Sequence, residues 1–505
     1  CAQQSEEDVD EQKCHACDVI AVLLVLCCVC AVRAGAATRD ITLGEAIATA
    51  RAGSVDAAVA LNELKTAYWE YRTFRADLLP EVNFEATLPS YRKNYSSYQL
   101  EDGTYTFVRN NVLQMAGNLS VQQNIWLTGG TLSLTTSLDY LKQLDGERFN
   151  RFMSVPVALT LSQPIFGTNH TKWRRRIEPV RYEEAKASFM SATEQVAMRA
   201  VDYFFGLLMA KENLATARQN LSNSEKLYLV AVAKRDMGQI SENDLLQLQL
   251  NLLTARSTLT DAESNYKAGM FQLRSFLGLD EDVDLVPILP ESTPGVDVDY
   301  DDVLAKALER NAFARNIRRR QLEADYEVAM AKGDMRQITL FAQVGFTGTS
   351  ERFSGAYDPL KDNQVVEIGF KIPLLDWGKR RGRVKVAESN REVVSSRLRQ
   401  EEINFRQDIF MLVERFNNQR QQLGIASEAD TIARRRYHTN VETFMIGKIS
   451  TLDLNDSQSR KDASRQAYIN QLFLYWYYYY QLRGLTLWDY ASDSSIDSDI
   501  EAIVK

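Results

Sequence analysis

A chain of 505 residues with 59 basic and 67 acidic side chains has a formal charge of −8, which offers no basic excess for a nucleic-acid partner. Its six cysteines all fall at positions 1, 14, 17, 27, 28 and 30, and only His170 and His438 stand beyond residue 36. Residues 37–505 therefore exclude Cys-based nucleophilic sets, His-rich metal sites and disulfide staples.

The first segment to set aside is 1–36. An apolar run from Val19 to Val32 is too short to span a bilayer as a helix, which needs about 20 residues. Arg33 and the small residues Ala34-Gly35-Ala36 follow, so the run reads as the core of a secretory signal cut after Ala36. The acidic stretch Glu6 to Glu11 is unlike the positive start of such a signal, and Cys14-His15-Ala16-Cys17 lacks the next His that haem attachment needs. Without this segment the charge is −4 (57 minus 61).

Period-two alternation comes next. Val82, Phe84, Ala86 and Leu88 alternate with Asn83, Glu85 and Thr87, and Val157, Leu159 and Leu161 with Ala158, Thr160 and Ser162. Ile338 to Phe346 and Val366 to Ile372 behave likewise in the second half. One apolar and one polar face suits either a half-buried sheet or a barrel with lipid outside and water inside. Four such strands between very long helices favour the barrel.

Long helices are predicted over about Arg174 to Arg235 and Gly378 to Phe444, with apolar spacing through Val201, Phe204, Phe205, Leu208, Leu214, Leu221 and Leu227. Sixty helical residues extend about 90 Å, beyond a globular diameter. Each run meets a Gly-x-Ile-Ser turn, Gly238-Gln239-Ile240-Ser241 or Gly447-Lys448-Ile449-Ser450, and shorter helices return from Glu242 to Leu277 and from Thr451 to Leu487. Glycine suits the position after a helix end and serine caps the next helix.

The shift that carries Gly238 onto Gly447 also carries Pro164-Ile165 onto Pro373-Leu374 and Leu273-Arg274 onto Leu482-Arg483. Three coincidences at one spacing indicate an internal duplication and a pseudo-symmetric object such as a ring or tube. The expected layout is residues 37–279 as the first repeat, the acidic, Pro-rich 280–299 as a linker, 300–490 as the second repeat, and 491–505 as a tail. The interval from Pro80 to Pro164 is more than twice as long as that from Gln337 to Pro373, leaving an extra hairpin, an extracellular cap or longer strands as readings. Leu132, Leu134, Thr136 and Leu138 alternate within that excess.

With these repeats and the corners Gln163-Pro164-Ile165-Phe166 and Ile372-Pro373-Leu374-Leu375-Asp376-Trp377-Gly378, the chain resembles the TolC-like outer membrane efflux proteins over nearly all its length after residue 40. The resemblance implies a mainly α chain with a membrane β-barrel, and a homotrimer in which four strands per chain close a shared twelve-stranded barrel. Below it a helical tunnel would reach into the periplasm. It also implies an exit duct of a tripartite efflux or type I secretion system, without enzymatic activity or cofactor. The implied partners are outer membrane lipid, a periplasmic adaptor at the turns (Gly238, Ile240, Ser241, Gly447, Ile449, Ser450), and through it an inner-membrane pump. An exported structural or adhesive coiled coil without a conduit is the alternative, though it has no need of lipid-facing strands.

Asp453 and Asp456 follow the second turn three residues apart, on one helix face. By resemblance they match the aspartates ringing the family's channel entrance, where carboxylates from three chains would favour cations. Ser450 and Asp453 also have capping-box spacing, which Ser241 and Asp244 share. Phe444 and Ile449 stand where the family's lock places tyrosine and arginine, so any lock here is built differently. The runs Arg174–Arg176, Arg318–Arg320 and Arg434–Arg436 read as solvated helix faces, and the aromatic run 475–480 as packing between helices.

Overall fold

A computed structural model describes residues 37–145, 148–280, 282–335, 338–358, 360–369, 375–446, 448–496 and 503. The expected signal over 1–36, Gly447 and the corner residues Ile372, Pro373 and Leu374 lie outside these.

Strand β1 (Ala37–Ile41) leads into α1 (Leu43–Gly53) and α2 (Val55–Ala76), capped by the side chains of Thr42 and Ser54. Four strands follow: β2 (Glu81–Gln99), β3 (Tyr105–Ile125), β4 (Gly130–Gln143) and β5 (Asn150–Ile165). The 67-residue α3 (His170–Asp236) and the 36-residue α4 (Glu242–Leu277) make the first hairpin. Strand β6 (Val283–Pro287) then pairs in parallel with β1, so the Pro-rich segment between the halves contains a strand tied to the start of the first repeat. After it the plan recurs as α5 (Tyr300–Arg310), α6 (Ala312–Asp334), β7 (Ile338–Ser350), β8 (Lys361–Gly369), the 67-residue α7 (Lys379–Met445) and the 36-residue α8 (Thr451–Thr486).

One antiparallel sheet runs in the order β2-β3-β4-β5-β7-β8. The expectation of four strands per chain is therefore corrected to six among the described residues, and the cause is an insertion. Helices α1 and α2, starting at Leu43 and Val55, correspond to α5 and α6, starting at Tyr300 and Ala312. Helices α3 and α4, starting at His170 and Glu242, correspond to α7 and α8, starting at Lys379 and Thr451. Within each of these two sets the shift between halves is identical, but it is larger for the first set than for the second. The excess falls between the start of β2 and that of β5, a span that holds the β2–β3 hairpin. By their starts β4 and β5 lie at about the smaller shift from β7 and β8, whereas β2 lies from β7 at the larger shift of α2 and α6. The run beginning at Val82 thus keeps its expected match to Ile338 to Phe346 by position. What marks the β2–β3 hairpin as the added pair is that it leaves and returns at one place: Gln123 Nε2 donates to the Leu78 carbonyl at 3.0 Å, and Asn124 Nδ2 to that of Asp77 at 3.3 Å.

Two cores sit where the helices overlap most. In one, Phe204, Leu207 and Leu208 of α3 meet Leu273 and Leu277 of α4, Ala46 and Ala50 of α1, and Leu285 of β6. In the other, Phe416 of α7 packs on Tyr475 and Tyr479 of α8, so the aromatic run lies between helices as its spacing predicts. Burying each such large side chain contributes about 1.5–3 kcal/mol. The halves are also joined by charge, because Glu194 on α3 is buried between Arg51 of α1 and Arg483 of α8.

The arginine runs at 174–176 and 434–436 are exposed, as the solvated reading expects, and in the run at 318–320 only Arg319 and Arg320 are partly covered. Arg319 is ion-paired to Glu184 across helices at 2.6 Å and Arg320 to Glu401 at 2.6 Å, while Arg175 stacks 4.0 Å from the Trp126 ring centroid. Adjacent charges in a long helix necessarily face different neighbours, and here several of those neighbours are other helices.

Candidate membrane sheet and tunnel entrance

Side chains alternate between the two faces of a strand, so register determines what each face of the sheet presents. Val82, Val121, Leu134, Leu159 and Val344 lie side by side across β2, β3, β4, β5 and β7. Glu81, Gln122, Ser133, Thr160 and Gln343 form a parallel row on the opposite face. The apolar row is not covered: Val82, Leu134, Leu159 and Val344 are 63, 44, 45 and 50% exposed. An uncovered apolar band backed by a polar face is the pattern of a barrel wall with lipid outside. No described helix is long and apolar enough to cross a membrane.

Exposed aromatics mark the end of the sheet nearest the helices. Phe166 and Trp377 are both exposed and both have left-handed backbone, with φ of 63° and 53°. Trp126 at the same end is exposed as well, and these are residue types that favour a membrane interface.

At the opposite end of the helices are the turns. Gly238, with φ of 69°, ends α3 in a Schellman motif: its N–H donates to the Arg235 carbonyl, and that of Gln239 to the Lys234 carbonyl, both at 2.8 Å. Lys448 repeats the second bond, donating to the Thr443 carbonyl at 3.1 Å. Ser241 and Ser450 then open α4 and α8 with full capping boxes through Asp244 and Asp453. The two turns lie together around a groove of about 410 Å³ lined by Leu227, Ala231, Ile240, Phe444 and Ile449 among others. The Lys234 ammonium sits 5.6 Å from the Phe444 ring centroid, linking the hairpins at the place where a tyrosine was expected.

The two aspartates behave differently. Asp453 is occupied by its cap, accepting from the Ser450 hydroxyl at 2.6 Å. Asp456 is clamped between arginines, Arg460 one turn along α8 at 2.9 Å and Arg436 across the hairpin on α7 at 3.0 Å. The Arg460 hydrogen bond, followed by that of Arg436, holds the Asp456 carboxyl below its ordinary value. Nearby, Asn220 of α3 donates to Asp462 of α8 at 2.7 Å and Asn223 to the Tyr437 hydroxyl at 2.8 Å, so neutral amides join the hairpins. The pairing of Asp456 with Arg460 has a sequence signal in its four-residue spacing. Arg436, Asn220 and Asn223 have none, because their partners are brought up by the fold.

A lipid-facing strand sheet carried on two helical hairpins whose tips converge defines an outer membrane channel-tunnel. The chain belongs to the outer membrane efflux protein family, whose model matches residues 46–279 and 308–472. Among curated proteins it is similar to the alkaline protease secretion protein AprF of Pseudomonas aeruginosa, 20% identical over 225 residues, which is 44% of this chain and 46% of that protein. The match thus spans less than half of that relative's length. Among solved structures it is similar to the Campylobacter jejuni CmeC outer membrane channel, with a TM-score of 0.65, 15% identity and coverage of 91% of this chain and 88% of that one. The Vibrio cholerae outer membrane protein VceC gives a TM-score of 0.61 at 14% identity, covering 90% of this chain and 97% of that one.

Proposed function

We propose that three copies of this chain form an exit duct in the outer membrane, with the helical hairpins in the periplasm. Their convergent turns would dock the helical hairpin of an adaptor and, through it, an inner-membrane pump. The observation that carries this reading is the uncovered apolar row on five paired strands with a polar row behind it. A soluble coiled coil has no use for such a surface, and the strands of one chain leave open edges that hydrocarbon does not tolerate. The 67-residue helices supply about 100 Å of reach from that sheet to the turns. Gly238, Ile240, Ser241, Gly447, Ile449 and Ser450 are the adaptor-contacting residues of this proposal, and Asp453 and Asp456 line its entrance. AprF is named for protease secretion, which makes protein cargo as open to this duct as small molecules. Crosslinking in native membranes tests the assembly: chains trapped in threes are expected, and a monodisperse monomer soluble without detergent would sink the proposal.

A further inference from the structure

The inserted β2–β3 hairpin changes what closing the barrel requires. We infer that it is part of the barrel wall, and that three copies close eighteen strands, three times the six of one sheet, with the β8 edge of each copy hydrogen-bonded to the β2 edge of the next. This rests on the trimer proposed above. The partner is a second copy of this chain, and the surface is a backbone edge.

Three observations place the hairpin in the wall. First, β3 pairs with β4 continuously from Val112–Gln143 to Ile125–Gly130, longer than the roughly 9–11 residues that a strand needs to cross hydrocarbon. A cap or plug would not remain in register with the wall over its whole depth. Second, the apolar row continues onto the insert through Val121 and Val82, and Phe84 faces Leu119 in the neighbouring row. Val82 and Phe84 are 63 and 72% exposed, a surface that water would penalise and lipid would not. Third, β3 residues Tyr105 to Asn111 pair with β2 beyond the end of β4, so the hairpin rises above the wall on the side away from the helices without leaving it.

Closure then follows from edges and directions. Among the described residues β2 and β8 each have one neighbour, and six strands are fewer than the eight of the smallest barrels. Every adjacent pair is antiparallel, so β2 and β8 run in opposite senses. Bringing β8 of one copy onto β2 of another therefore continues the antiparallel pattern without a break. The competing closure, with β8 joined to β4 of the neighbour, requires β3 to be stripped from β4 along its whole pairing. Barrel diameter grows roughly linearly with strand number, so eighteen strands give a bore about 1.5 times that of twelve.

The test uses disulfides in the full chain with its six N-terminal cysteines changed to serine, which leaves no other thiol. One panel combines Asn83→Cys, Glu85→Cys or Thr87→Cys on β2 with Asn363→Cys, Val365→Cys or Glu367→Cys on β8. A second panel combines Ser133→Cys or Thr135→Cys on β4 with the same β8 positions. Oxidation in membranes, read on denaturing gels beside the native mass of the assembly, should give linked dimers and trimers from at least one β2–β8 combination and none from β4–β8. Linkage from β4–β8, or three-chain assemblies with no linkage in the β2–β8 panel, overturns the eighteen-strand closure and leaves the trimer standing. A one-chain native mass overturns the trimer, and this inference with it.

Discussion

Replacing Glu194 by alanine should loosen the joint between the two halves more than any surface change. Its side chain is 1% exposed; Arg51 and Arg483 reach it from α1 and α8, and Arg483 also binds Asp489 at 2.7 Å. The helices are close here, since a Cβ at Gly484 would lie 3.2 Å from that of Glu194. Removing one partner of a buried pair costs about 3–5 kcal/mol, because the other charge stays desolvated. Arg51 is 31% exposed and can turn to solvent, and Arg483 keeps Asp489, so the expected loss is at the lower end, about 3 kcal/mol. One kcal/mol shifts Tm by roughly 2–4 °C in domains of 150–250 residues and by less in longer chains, so thermal unfolding in detergent should drop by about 3–6 °C. Combining Glu194→Leu with Arg483→Leu removes both central charges and should recover more than half of the loss. An unchanged Tm for Glu194→Ala, or a double variant no better than the single one, would refute the claim that this charge cluster clamps the repeats.

At the first turn, Gly238→Val forces a β-branched residue into φ of 69°, at a cost of about 1–2 kcal/mol. Assembly in the membrane should survive while export fails, and normal export would count against docking at this turn. Asp453→Asn weakens the cap that starts α8, so amide hydrogen exchange around Leu454 should quicken; unchanged exchange would show the box to be dispensable. Asp456→Asn leaves Arg436 and Arg460 facing each other without their shared carboxylate, so channels in planar bilayers should shift towards anions and lose sensitivity to divalent ions, with the start of α8 intact. Wild-type selectivity in that variant would remove Asp456 from the entrance. The pH dependence has a definite sign. Because the folded value lies below the ordinary 3.8, the Asp456 clamp is fully present above 3.8 and is lost only as pH falls through the folded value. Conductance should therefore be flat from neutrality down to that range and change below it, and a step nearer neutrality would implicate another group.

What was legible in the sequence was what is local to it. The long helices begin within a few residues of where periodicity places them, and the first starts early only because Asn169 caps it. Both turns are written in glycine followed by a serine box, and the structure adds only the Schellman bonds. The strand count was not legible, since alternation in β2 looks the same whether the strand belongs to the duplicated unit or to an insert. Separating them took the hydrogen bonds at the base of the hairpin, because the helix starts place the excess only between the start of β2 and that of β5. Strand β6 is five residues long and carries too little pattern to announce itself, and it is a strand because β1 is beside it. After the second turn, the carboxylates were readable but their occupancy was not: Arg436 reaches Asp456 only because the hairpin folds it back.

The form of the insertion follows from the same physics. Adding a single strand between α2 and β4 would reverse the direction of every later strand, placing α3 and α4 on the far side of the membrane from α2. Two strands restore the direction, so a hairpin is the smallest wall element that this chain can gain and still return to its helices. The bonds from Gln123 and Asn124 to the carbonyls of Leu78 and Asp77 show how little that return disturbs, because the chain re-enters beside the point where it left. Strands β4 and β5 consequently keep the relation to α3 that β7 and β8 have to α7, and the duplicated frame survives around the added hairpin. Widening the wall in this way leaves the helical hairpins unaltered in length, at 67 and 36 residues in both halves, so the membrane end can differ in bore while the turns still meet at one level.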